Sequence, residues 1–70
     1  YKVMESIGIR IRNLRLEKGL SQPQLAKMVG VSKGVISFWE NDVNEPKASY
    51  IKILATCLEV SADYLLGLED

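Results

Sequence analysis

Residues 21–41 read SQPQLAKMVGVSKGVISFWEN, and the fold turns on this stretch. Ser21 and Ser32 each precede an apolar-periodic segment, where a serine side chain accepts a hydrogen bond from an N–H that the first helical turn leaves unpaired. Gln24 stands three residues after Ser21, the spacing of a capping box, and Leu20 and Leu25 bracket the start as a hydrophobic staple. Pro23 falls in the first turn, where its missing N–H costs nothing. Leu25, Ala26, Met28 and Val29 supply an apolar side, and Gly30 ends the helix by turning at positive φ without steric cost. Val31 and Ile36 staple the next helix in the same way. The spacing of Gln22, Ala26, Gly30 and Ile36 predicts two short amphipathic helices, about 22–29 and 33–41. They cross at close range over the small side chain of Ala26.

Outward from this unit the helical period continues on both sides. Ile7, Ile11, Leu14 and the stem of Lys18 fall on one stripe of a helix over about 6–18, which Gly19 ends. Ile9 and Leu16 lie on the other side of that wheel, either as a second buried contact or as an exposed apolar pair; burial by the C-terminal segment is expected. NDVNEP (41–46) is turn-rich, and Pro46 keeps the preceding helix from continuing. A helix over about 47–58 buries Ile51, Leu54, Ala55 and Leu58. Ser61 caps a last helix, 62–66, with Asp63 in its first turn and Gly67 at its end; Tyr64, Leu65 and Leu68 are expected to close the core. Five helices, no strand pattern and no repeat give an all-α domain over 6–68. Residues 1–5 carry little signal, lack an initiator methionine and are expected to be a disordered, trimmed or engineered start.

Seventy residues are near the lower limit for a chain that folds on its own core, so the helices must pack efficiently. No apolar run approaches the roughly 20 residues of a membrane span, and a cytoplasmic location is the default expectation. Cys57 is the only cysteine and there is no histidine, so an intramolecular disulfide is impossible and the common metal-ligand patterns are missing. Cys57 is expected to pack as a small apolar residue. With no phosphate-loop glycine pattern and no nucleophile-elbow serine, an enzyme is not expected, nor a cofactor, metal or small-molecule substrate. The net charge is zero, yet its distribution is uneven. Residues 1–40 hold seven Lys/Arg against three acids, +4, and residues 41–70 hold two against six, −4. The basic part contains the two-helix unit.

With Ile36 and Trp39 turned inward, the outward face of the 33–41 helix carries Lys33, Gly34, Ser37, Phe38 and Asn41. Gly34 weakens a helix and Phe38 exposes a ring, so this set is poor material for a merely solvated face. A DNA major groove would use it. Gly34 permits close approach, Lys33 can donate to guanine O6 or N7, Ser37 can bond to several bases, and Phe38 can touch a thymine methyl. Candidate phosphate contacts surround that helix: Gln22 at the start of one helix, Ser32 and Asn41 at the two ends of the other, Lys47 at the start of the next, and Arg10 and Arg12 on the first. Glu40 opposes the helix dipole and would repel phosphate, penalties that a bidentate pair with Arg15 would offset. That pair is read as structural.

QPQLAKMVGVSKGVISFWEN resembles the helix-turn-helix of the lambdoid-phage repressor and Cro family, and the similarity extends from IRIRNLRLEKGLSQ through NEP to ILATCLEVSADYLLG. The resemblance implies a compact five-helix lambda-repressor-like domain. It also implies a sequence-specific transcriptional regulator, a repressor for preference, that binds a pseudo-palindromic operator in double-stranded DNA as a homodimer. The second helix of the pair would lie in the major groove, with half-sites about one DNA turn apart. By resemblance, Gln22, Asn41 and the start of the 47–58 helix hold phosphates, Lys33, Gly34, Ser37 and Phe38 occupy base-reading positions, and Arg15 with Glu40 is the family's internal salt bridge. Phe38 stands where relatives often carry glutamine, and Glu59 replaces a usual glycine. A linker and C-terminal dimerisation domain commonly follow this module in phage repressors, which suggests an N-terminal fragment; a complete short regulator or the DNA-binding half of an antitoxin would look similar. The competing function is a protein-interaction module built on Phe38, Tyr50 and Ile53.

Overall fold

Four serines set the starts of four helices. In the computed structural model, which describes residues 5–69, the elements are α1 (Ile7–Glu17), α2 (Gln22–Val29), α3 (Lys33–Glu40), α4 (Ala48–Leu58) and α5 (Ala62–Leu66). Apart from Glu5, the expected disordered start lies outside the described residues. Ser6, Ser21, Ser32 and Ser61 each hold an extended backbone and accept a hydrogen bond from the N–H three residues on, at Ile9, Gln24, Val35 and Tyr64. The capping box at Ser21 is complete: Gln24 N–H donates to Ser21 Oγ at 3.2 Å, and Ser21 N–H donates to Gln24 Oε1 at 2.7 Å. Gly30 turns the chain at φ 89°, a left-handed backbone that only glycine enters freely. The expected bounds 6–18, 33–41 and 47–58 each include a residue or two that cap rather than extend the helix: Ser6 and Lys18, Asn41, and Lys47.

Every helix contributes to one core. Ile11 of α1, Leu25 of α2, Ile36 of α3, Leu54 and Leu58 of α4 and Leu65 of α5 are fully buried, and each such side chain is worth about 1.5–3 kcal/mol when removed from water. Ala26 is buried, and α2 packs against α3. Trp39 turns inward as expected, its ring centroid 5.5 Å from that of Tyr50 on α4 at a tilt of 50°. α1 lies against α3 and α5, and α4 against α2 and α5. Cys57 is half-buried at the core margin, its thiol 3.8 Å from the Met28 carbonyl oxygen. No helix among the described residues is long and apolar enough to cross a membrane.

Four apolar expectations are corrected. Ile9 and Leu16 stay 42 % and 55 % exposed, because α5 docks on the Arg10 and Tyr64 side of α1 and leaves the Ile9 side to solvent. Leu68 is 72 % exposed, since the chain turns outward at Gly67. Met28 is also exposed, standing one position off the buried stripe of Leu25, Ala26 and Val29. The ammonium of Lys18, whose stem was expected on the α1 stripe, pairs with Glu59 across the α1–α4 margin.

Candidate nucleic-acid interface

Helix α3 divides cleanly by side. Ile36, Trp39 and Glu40 are buried, whereas Lys33, Gly34 and Phe38 are exposed and Ser37 is half-exposed. Helical spacing puts Lys33 beside Ser37 and Gly34 beside Phe38, one turn apart, so the four predicted base-reading residues form one two-turn surface.

The buried Glu40 fixes the orientation of that surface. Arg15 of α1 donates to it twice, Nε to Oε2 at 2.7 Å and Nη2 to Oε1 at 3.0 Å, while Nη1 donates to the Leu20 carbonyl oxygen at 2.9 Å. Gln22, the first residue of α2, donates from Nε2 to Glu40 Oε1 at 3.1 Å. The Arg15–Glu40 pair therefore ties α1, the α1–α2 turn and the start of α2 to the last turn of α3. The hydrogen bond with Glu40 and its charge raise the Arg15 guanidinium above its ordinary alkaline range, against the opposing effect of burial. A charged pair in this fork geometry also cancels the negative charge at the C-terminal end of α3.

The predicted phosphate residues separate into three kinds. Arg12, Ser32 and Lys47 are exposed. Arg12 follows Gly8 by four residues and precedes Arg15 by three, and both of those residues lie against the end of α3, so Arg12 flanks that end. Ser32 Oγ accepts the Val35 N–H at 3.3 Å, which leaves its own O–H to donate. Lys47 is the N-cap of α4 without a side-chain cap bond, so the positive end of α4 opens beside it.

Gln22 and Asn41 instead have inward bonds. Gln22 gives one amide N–H to Glu40, and the second is the one that could meet an anion. Asn41 donates from Nδ2 to the Ser37 carbonyl oxygen at 2.9 Å and to Ser37 Oγ at 3.3 Å. Its amide thus braces the last turn of α3 and leaves the Ser37 O–H free to donate. Arg10 is also turned inward: Nη1 donates to the Tyr64 carbonyl oxygen at 3.2 Å and the guanidinium sits 4.9 Å from the Tyr64 ring centroid. It clamps α5 onto α1, because its side of α1 faces α5.

Sequence reasoning missed Gly8 and Asp42. Gly8 is buried against the C-terminal end of α3. Asp42, at φ 59°, accepts a hydrogen bond from Ser6 Oγ at 2.9 Å, placing a carboxylate at the positive end of α1. The available signal was a glycine inside an apolar-periodic helix, which marks a close backbone approach.

The profile of the helix-turn-helix family matches residues 11–65. Repressor protein C2 of Salmonella phage P22 is 43 % identical over 60 residues, covering 86 % of this chain and 28 % of that protein. The uncharacterised HTH-type transcriptional regulator YobD of Bacillus subtilis is 38 % identical over 61 residues, covering 87 % and 54 %. Among solved structures, the P22 c2 repressor in complex with a synthetic operator superposes with a TM-score of 0.88 at 40 % identity, covering 93 % of this chain and 98 % of that one. SinR, a master regulator for biofilm formation solved in complex with DNA, gives 0.79 at 35 % identity, covering 84 % and 95 %. The chain spans about a quarter to a half of the length of these curated relatives. With the capped helix pair and its glycine turn in place, and the family profile running through most of its length, the chain belongs to the helix-turn-helix family of the Cro/C1 type.

Proposed function

We propose that this domain is the DNA-binding part of a transcriptional repressor that acts as a homodimer on a pseudo-palindromic operator, with α3 in the major groove. The observation that carries the reading is the outward surface of Lys33, Gly34, Ser37 and Phe38 on a helix locked at its far end by the Arg15–Glu40–Gln22 network. Lys33 and Ser37 supply hydrogen-bond donors to base edges, and Arg12, Ser32, Lys47, the second amide N–H of Gln22 and the open start of α4 supply phosphate contacts on the flanks. Asn41 acts through Ser37. The P22 c2 and SinR structures, each solved with DNA, support the same docking. Such a protein works in the cytoplasm at the nucleoid and performs no catalysis.

Selection of bound sequences from random duplexes, followed by anisotropy titration at several salt concentrations, tests this. A symmetric motif is expected. Lys33→Ala and Ser37→Ala should lose discrimination between the selected site and random DNA, whereas Lys47→Ala should weaken both and reduce the salt slope by about one. Equal losses on both duplexes for Ser37→Ala would sink the base-reading assignment.

A further inference from the structure

On the operator-binding reading, we infer that Phe38 and Gly34 form a notch that reads pyrimidine C5-methyl groups, so that this chain recognises thymine by its methyl and responds to cytosine methylation at the same position. Phe38 is 51 % exposed and is not among the apolar residues packed on the core. Its backbone is nevertheless held, since its carbonyl oxygen accepts the Val43 N–H at 2.9 Å beyond the end of α3. A helical side chain leans toward the N-terminus, so the ring stands on the Gly34 side of α3, one turn later, clear of the position a Cβ at Gly34 would take. There the surface is bare. A Cβ at Gly34 would meet only Ser32 Oγ, at 3.8 Å, so nothing inside the protein requires glycine, although glycine within a helix lowers its stability. The space is open only toward the outside.

The chemistry of the groove then selects the occupant. An aromatic ring has no hydrogen bond to offer a base edge, and the apolar group that a major-groove edge presents is the C5-methyl of thymine. A 5-methylcytosine carries the same methyl at the same carbon. Lys33 and Ser37 flank the notch with donors, which places guanine, or another acceptor-bearing base, beside the methylated pyrimidine.

The full chain is titrated with its selected operator and with duplexes in which each thymine in turn is deoxyuridine, an exchange that removes the methyl and leaves the hydrogen-bonding edge intact. One symmetry-related pair of thymines is expected to cost about three- to ten-fold in affinity per methyl, as for one buried methyl group. Phe38→Ala, a surface change, should bind both duplexes equally at that pair. With cytosine placed there, 5-methylation should tighten binding by the unsubstituted chain and leave Phe38→Ala unmoved. Uniform tolerance of deoxyuridine, or a methyl effect that survives in Phe38→Ala, overturns the notch alone. Absence of duplex binding by the unsubstituted chain overturns the operator-binding reading, and the notch with it.

Discussion

Gly8 of α1 lies so close to Trp39 of α3 that a Cβ added at Gly8 would stand 2.2 Å from the Trp39 carbonyl oxygen, 2.6 Å from Asp42 Oδ1 and 3.1 Å from the Glu40 carbonyl oxygen. Two of these neighbours are backbone and cannot rotate away. The positive end of α1 meets the negative end of α3 there, so the approach is electrostatically favourable as well as tight. Gly8→Ala should therefore destabilise the domain by about 1–3 kcal/mol, as overpacking does, despite alanine's better helix propensity. Urea denaturation followed by far-ultraviolet dichroism checks this; unchanged or increased stability would show that α1 can shift without loss.

Glu40 holds the second α1–α3 contact, and truncating it leaves Arg15 buried without a counter-charge. Glu40→Ala or Arg15→Met alone should cost about 3–5 kcal/mol, and the double change Arg15→Met with Glu40→Leu should cost less than either. The pH dependence has a definite sign. A cation whose folded pKa is raised contributes stability that is complete below its unfolded value and is lost only as pH rises through the folded one. The ordinary guanidinium value is already strongly alkaline, so the wild-type advantage over Arg15→Met should be constant between about pH 6 and pH 10. Denaturation curves across that window provide the check.

Glu59 adopts a left-handed backbone, φ 59° and ψ 43°, at the end of α4, a conformation costly for a residue with a Cβ. Glu59→Gly should raise Tm by a few degrees in a thermal scan, even though it removes the exposed ion pair with Lys18. Lys18 holds the Glu59 carboxyl below the usual carboxylate range. A depressed carboxyl contributes stability that is present above its unfolded value and is lost as pH falls through the folded one. Lys18→Met should flatten that acid-side loss, and high salt should erase the difference between the two proteins.

Gly34→Ala should move stability and DNA binding in opposite directions. The added Cβ meets nothing closer than 3.8 Å within the domain, so helix stability should rise by a few tenths to about 1 kcal/mol. The same methyl enters the face proposed to meet the groove, so operator affinity should fall. Parallel thermal scans and anisotropy titrations separate the two effects; a rise in both would mean that α3 does not make close contact with DNA through Gly34.

What the amino-acid sequence determined by itself is what a chain settles within a few residues. Ser21 and Gln24, Ser32 and Val35, Ser61 and Tyr64 find one another across a single turn, and Gly30 turns because no side chain forbids it. The periods of Ile11 and Leu14, of Leu54 and Leu58, and the inward setting of Ile36 and Trp39 follow from helix geometry alone. The Arg15–Glu40 pair was legible too, since a carboxylate at a helix C-terminus requires a cation. Tertiary structure decided which flank of each helix met a neighbour. It left Ile9, Leu16 and Leu68 in solvent, turned Arg10 onto Tyr64, and set Gly8 directly against the end of α3. Period locates a helix face but not the crossing angle or the side on which a partner arrives, because these depend on how distant side chains fill one shared core.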